Sequence, residues 1–253
     1  MLFYGSCLRE RQLDGLMLDF YLIVSDYRSA YGKGWLAAAN RLVPPNVFPF
    51  QHGGLHAKYA VLSEADFHRL NGPETRNPSV WARFAQPSRL VWSSDLAAAG
   101  RAIASVARAA PTLLSAALAE LPNEQPPLDL WRGAFALTYS AELRAEKKDR
   151  SGSVVDADPE RYRRFTPPAL AAARAEARRR HSSWRRRRAE GKALSVLRLA
   201  KASATFAGGA DYIAWKINRH AGTDIKLRPW QRRFPLLAAL TLAPRLLRNK
   251  AIR

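Results

Sequence analysis

FYGS at residues 3–6 and MLDFYLIVSD at residues 17–26 decide how this chain is read. The first is a short apolar run ending on Gly-Ser, which reads as a strand entering a tight turn. The second is apolar from residue 16 to 24 except for Asp19, which reads as a strand carrying one carboxylate. A Gly-Ser turn lets backbone N–H groups approach phosphate oxygens, and the serine hydroxyl adds a donor. An aspartate on an adjacent strand can hold Mg²⁺ against the same phosphates. On these two features alone, two readings stay open. One is a nucleotide site. The other is a structural turn beside a buried aspartate with a partner, because a carboxylate among apolar residues needs one.

Outward from this stretch, strands with interspersed helices come first and helices follow. Residues 29–42 have helical spacing, stopped by Pro44 and Pro45. LHAKYAVLS at 55–63 reads as a third strand, residues 64–70 as a helix and SRLVWS at 88–93 as another strand. From Asp95 to Leu121 the texture is alanine-rich and helical, and 126–144 continues it. Residues 169–190 are rich in alanine and arginine, and 210–220 and 230–248 are further helix candidates. This order predicts an α+β or α/β sheet domain packed on a helical one. The divisions expected are 1–94, 95–165 and 166–253. There is no internal repeat.

The 253 residues carry 41 Lys and Arg against 21 Asp and Glu, a formal charge of +20. At 47% hydrophobic residues the chain is no disordered polycation. The charge is uneven. Residues 1–150 hold 17 basic and 14 acidic residues, a net of +3, whereas 151–253 hold 24 and 7, a net of +17. An anionic partner is implied: nucleic acid, nucleotide or a membrane surface. The single cysteine, Cys7, excludes an internal disulfide or a cysteine zinc site and fits a reducing compartment. No secretory signal leads the chain, and no apolar run is long enough to span a membrane.

The spacing from Gly5-Ser6 to Asp19 is the layout of nucleotidyltransferase-fold enzymes, and further segments narrow it. FYGS, MLDFYLIVSD and HAKYAVLS (56–63) resemble the mitochondrial-type CDP-diacylglycerol synthases, the translocator-assembly-and-maintenance family. Those proteins show a Y-G-S-G motif, an M-L-D-F strand and a K-Y-G-V-I-S strand. Ala82-Arg83-Phe84 with Pro87 looks like the family's G-R-L-x-K-P segment. LTYSAELR at 137–144 looks like its L-S-Y-S-G-D-F-R segment. Asp149 and Phe165 fall at the family's spacing for later positions, and residues 201–209 resemble its S-T-x-G region. The chain resembles a shortened, bacterial-like member.

The resemblance implies a nucleotidyltransferase-fold mixed sheet, a helical domain and a basic amphipathic C-terminal helical region. It implies a CTP:phosphatidate cytidylyltransferase of phospholipid and cardiolipin biosynthesis. Such an enzyme uses CTP and Mg²⁺ to turn phosphatidic acid into CDP-diacylglycerol and pyrophosphate. Carried over, Gly5 and Ser6 would cradle CTP phosphates, and Asp19 and Lys58 would be catalytic. Asp19 would be the principal Mg²⁺ ligand, with Asp26 and Glu142 as further metal candidates. Lys33, Arg83, Tyr139, Ser140 and Arg144 are substrate-binding candidates. For Lys58 the plain alternative is a snorkelling strand lysine, for the arginines an ion pair, and for Glu142 a partner of Arg144.

The sequence departs from the family at several points. Tyr21 stands where many nucleotidyltransferases carry a second carboxylate, Cys7 where the family has glycine, and Gln86 where it has lysine. The segment between Phe165 and Lys201 is short. The chain begins almost on its first strand, so the expectation is that either an upstream helix is missing or the start lies too far downstream.

The arginines at 174–188 lack an accompanying nucleic-acid-binding motif, so no nucleic-acid partner is expected. Residues 229–253 set Trp230, Phe234 and several leucines among arginines, with Pro235 and Pro244 limiting helix length. That pattern suits an anionic membrane surface. The expected location is cytoplasmic, peripheral on the inner face of the cell membrane, or matrix-side on the mitochondrial inner membrane in a eukaryote. Two alternatives remain: a nucleotidyltransferase with another acceptor, and a non-catalytic basic protein that binds membrane or nucleic acid. Oligomeric state is not readable from the sequence.

Overall fold

The computed structural model describes residues 1–8, 17–122, 124–142, 150–176, 183–205 and 226–233. It is α+β. Strands β1 (Leu2–Tyr4), β2 (Met17–Val24), β3 (Asn46–His52), β4 (Leu55–Ser63) and β5 (Ser88–Leu90) form one mixed sheet in the order β3-β4-β2-β1-β5. β2 and β4 run parallel over eight residue pairs, and the other neighbours are antiparallel. β3 is the strand that the sequence reading lacks. It carries Pro49, which speaks against a central strand, but β3 is an edge, where a missing N–H is tolerated. Gly53 and Gly54, both at positive φ, turn β3 back into β4.

The helix read at 29–42 is two: α1 (Tyr27–Ala30) and α2 (Gly34–Leu42). Asp26 caps α1, accepting from the N–H of Arg28 at 2.7 Å and of Ser29 at 3.3 Å. Inside α2, buried Asn40 donates to the Val61 carbonyl at 2.9 Å and accepts from the Asn46 N–H. This ties the helix to β3 and β4. Ser63 caps α3 (Glu64–Leu70).

Past the short α4 (Trp81–Phe84) and β5, the alanine-rich stretch is α5 (Leu96–Ala107) and α6 (Ala109–Ala117). Pro111 cannot donate to the Ala107 carbonyl, so one helix ends and another begins there. α7 (Pro127–Ser140), α8 (Arg150–Asp156), α9 (Pro159–Glu176) and α10 (Trp184–Thr205) follow. Of the C-terminal region only a short helix, Pro229–Arg233, lies within the described residues. The candidate helix at 210–220 and most of the one at 230–248 lie outside them.

One hydrophobic cluster runs from Leu2, Tyr21 and Leu62 through Phe67, Trp81 and Phe84 to Trp131, Tyr162 and Trp184. The divisions at 94/95 and 165/166 are therefore not breaks in packing, and α9 runs unbroken across the second. Trp131 is fully buried and donates to Thr166 Oγ1 at 3.0 Å, joining α7 to α9. Thr166→Val leaves that indole N–H unpaired, and we expect a loss of about 1–3 kcal/mol in urea unfolding.

α10 passes close against the end of α7: a Cβ on Gly191 would collide with the Ala141 carbonyl oxygen. Further along α10, Arg198 donates to the Pro44 carbonyl at 2.7 Å, and Lys201 donates to the carbonyls of Val43 and Pro45. Burial, with the Arg198 charge adding to it, brings the Lys201 ammonium down to about 7. An unfolded lysine keeps its proton to about pH 10.4. Between those values the unfolded chain binds the extra proton, so this group makes stability rise with pH. The expected result is a thermal midpoint that climbs from pH 7 to pH 9 relative to Lys201→Met. Parallel pH profiles for the two chains would contradict it.

Candidate functional site

Pairing register brings the sequence candidates together. Asp19 on β2 lies opposite Tyr4 on β1 and opposite Lys58 on β4, so all three share one face of the sheet. Lys58 Nζ is 3.0 Å from Asp19 Oδ1, with 25% and 19% of the two side chains exposed. The pair is sheltered but reachable. Asp19 Oδ1 is buried and accepts no aligned hydrogen bond, so the contact with Lys58 is one of charge.

Gly5 closes the other side. Its φ is +94°, and a Cβ there would stand 2.8 Å from Asp19 Oδ2, 3.3 Å from Asp19 Cβ and 3.4 Å from Cγ. The backbone thus passes against the carboxylate where no other residue fits. Ser6 then begins a 3₁₀ turn, Ser6–Leu8, whose Cys7 is buried with its thiol donating to the Met17 carbonyl at 3.4 Å. The turn after β1 is held against the start of β2, which carries Asp19. Cys7 is thus a packed side chain.

Arg83 and Glu142 also meet. Nη1 and Nη2 of Arg83 donate to Oε1 and Oε2 of Glu142 at 3.1 and 3.5 Å. The two are 59 positions apart, from α4 and from just past the end of α7. Burial works against the Arg83 charge, but the Glu142 carboxylate, with Tyr21 and Tyr4 adding to it, more than offsets burial, so the arginine is held firmly charged. Glu142 therefore serves as an ion-pair partner of Arg83. The Tyr4 phenol lies in the field of both Asp19 and the Arg83–Glu142 pair. Burial first, then Asp19, pushes that phenol well up. The Tyr4, Tyr21 and Phe84 rings pack on one another, with Tyr4–Tyr21 and Tyr21–Phe84 centroids 5.2 and 5.1 Å apart.

Other candidates are not gathered here. Asp26 lies past the far end of β2; Val24 alone is about 16 Å along the strand from Asp19. Asp26 is occupied by the α1 cap and by Arg41 at 3.2 Å. Lys33 is exposed at the start of α2. The Ser140 hydroxyl donates to the Leu137 carbonyl at 2.7 Å within its own helix, and Tyr139 packs against the core. Arg144 and Asp149 lie outside the described residues. Two cations that sequence reasoning passed over, Arg198 and Lys201, face inward from α10. Their signal was an i, i+3 pair of basic residues set in the apolar run LSVLRLAKA.

Asp19 is suited to a divalent cation by its chemistry: a hard carboxylate with one buried oxygen lacking an aligned donor. Among the described residues no group of three or more His, Cys, Asp or Glu comes together to hold a metal. Asp19 would be one ligand there, with substrate phosphates and water among the others. Among the described residues, no helix is long and apolar enough to cross a membrane.

A scan against protein-family models gives no match, and no curated protein matches the chain.

Proposed function

We propose that this chain is a CTP:phosphatidate cytidylyltransferase, making CDP-diacylglycerol and pyrophosphate at a membrane surface. The observation that carries the reading is the contact of Gly5, Asp19 and Lys58, in which a glycine-lined turn, a sheltered carboxylate and a lysine occupy one point of the sheet. Support also comes from the meeting of Arg83 with Glu142, because each belongs to a separate segment that resembles the same family.

The chemistry asked of these residues is mostly positioning and charge neutralisation. Backbone N–H groups and the hydroxyl in the Gly5-Ser6 turn bind triphosphate oxygens. Asp19 would hold Mg²⁺, which would supply neutralisation of triphosphate charge. Lys58 divides its charge between Asp19 and the phosphates. A phosphate oxygen of the lipid attacks the α-phosphorus, a new P–O bond forms, and the bond to pyrophosphate breaks. The attacking oxygen is already anionic, so the chain needs no strong general base.

The surplus of basic residues after 150 gives the reading its place, against an anionic lipid surface that holds the second substrate. The test is incubation of the purified chain with Mg²⁺, α-labelled CTP and phosphatidic acid vesicles. Labelled CDP-diacylglycerol and one pyrophosphate per lipid are expected, with CTP preferred over ATP and GTP. If no nucleotide labels the lipid, the reading is overturned. Label appearing in an added RNA or a small molecule instead would move it to another acceptor.

A further inference from the structure

Ser79, just ahead of α4, is 3% exposed. Its carbonyl accepts from Nη1 of Arg83, and its hydroxyl accepts from Nη1 of Arg198 at 2.9 Å. Two guanidinium groups, one from α4 and one from α10, thus converge on a single buried residue. Among the described residues the carboxylate near them is Glu142, and it is bonded to Arg83. Arg198 has neutral direct partners, the Pro44 carbonyl and the Ser79 hydroxyl. Burial lowers the pKa of Arg198, and the neighbouring charge of Arg83 adds to that. Neither arginine is sealed from solvent: 29% of the Arg83 side chain is exposed, and Arg198 is half-buried.

Like charges drawn together out of bulk water are stabilised by an anion between them. Guanidinium forks suit the oxygens of a tetrahedral phosphate. We infer that Arg83 and Arg198, gathered on Ser79, form an oxyanion site that takes a phosphate group. Tyr21, two residues from Asp19 on the same face of β2, lies in the field of both arginines and so links this site to the Asp19–Lys58 pair. Its chemistry rests on the two arginines alone; only its part in a reaction rests on the nucleotidyl-transfer reading. The phosphate has two sources, the acceptor's monoester or the nucleotide's polyphosphate.

Arginine-directed dicarbonyl labelling of the unaltered full chain, mapped by mass spectrometry, tests this without any variant having to fold. Inorganic phosphate at constant ionic strength is expected to slow labelling of Arg83 and Arg198 selectively. Stronger protection by glycerol 3-phosphate than by pyrophosphate assigns the site to the acceptor, and the reverse order assigns it to the nucleotide. Calorimetry gives the second measurement. Arg198→Gln is expected to weaken phosphate binding about tenfold or more, and Arg198→Lys to retain most of it. Unchanged labelling in all three anions, or equal phosphate affinity in Arg198→Gln, would overturn the site and leave Arg198 a clamp on the Pro44 turn. Asp19→Asn is expected to retain the protection. A chain that protects its arginines but makes no CDP-lipid thus loses the functional reading and keeps the site.

Discussion

Asp19→Asn is expected to fold as the parent chain does and to lose about three orders of magnitude in turnover. The exchange keeps the shape of a side chain that is 19% exposed, so packing is undisturbed. What it removes is the negative charge opposite Lys58 and the hard oxygen that suits a divalent cation. The stability cost is small, about 1 kcal/mol, because Lys58 keeps 25% exposure and can turn its ammonium to water. Turnover of labelled CTP and a urea titration on one preparation separate the two effects. A variant retaining a tenth of the parent activity would take Asp19 out of the metal role.

Gly5→Ala is expected to be the most damaging single methyl in the sheet domain. The backbone there has a φ of +94°, which costs an L residue about 1–2 kcal/mol. The added Cβ would also stand 2.8 Å from Asp19 Oδ2 and within 3.4 Å of Asp19 Cβ and Cγ. The clash cannot be relieved by turning the carboxylate tip alone, since the root of the side chain is also close. Crowding of this kind adds about 1–3 kcal/mol. A destabilisation of about 2–5 kcal/mol is therefore expected, together with loss of activity, because any relief moves Asp19. Pairing Gly5→Ala with Asp19→Gly separates the parts. The contact disappears in the double variant while the backbone cost remains, so the two changes should be non-additive. Strict additivity would show that the turn and the carboxylate do not touch.

The elements legible in the sequence were those whose pattern was local. β1, β4 and α3 end where apolar alternation, Gly5 and the Ser63 cap say they should. β3 was hidden by Pro49, although the Gly53-Gly54 turn after it is a hairpin signal. The helix breaks at Tyr31–Lys33 and at Arg108 follow from single glycines and a proline inside alanine-rich runs, where helix propensity masks them. In the site, Gly5 and Asp19 stand out by local pattern and Lys58 by the resemblance alone, and it is strand register that brings the three together. Asp26 could not, since period and spacing do not say which end of β2 faces the turn. Arg198 could not either. Its partners, Pro44 and Ser79, come from segments far away in the chain, and only the docking of α10 brings them within reach.

The parallel pairing of β2 with β4 carries a consequence for how the site comes into being. Parallel neighbours cannot be joined by a tight hairpin, and here the crossover between them includes α1, α2 and the whole of β3. Contacts so distant along the chain form late, after the entropy of closing the intervening loop has been met. Gly5, Ser6 and Asp19 can assemble early through the β1–β2 pair, but Lys58 arrives only when β4 slots in beside β2. A nascent chain that has emerged only as far as β3 holds Asp19 without Lys58. A chain cut after His52 would hold the turn and the carboxylate without the cation that balances them.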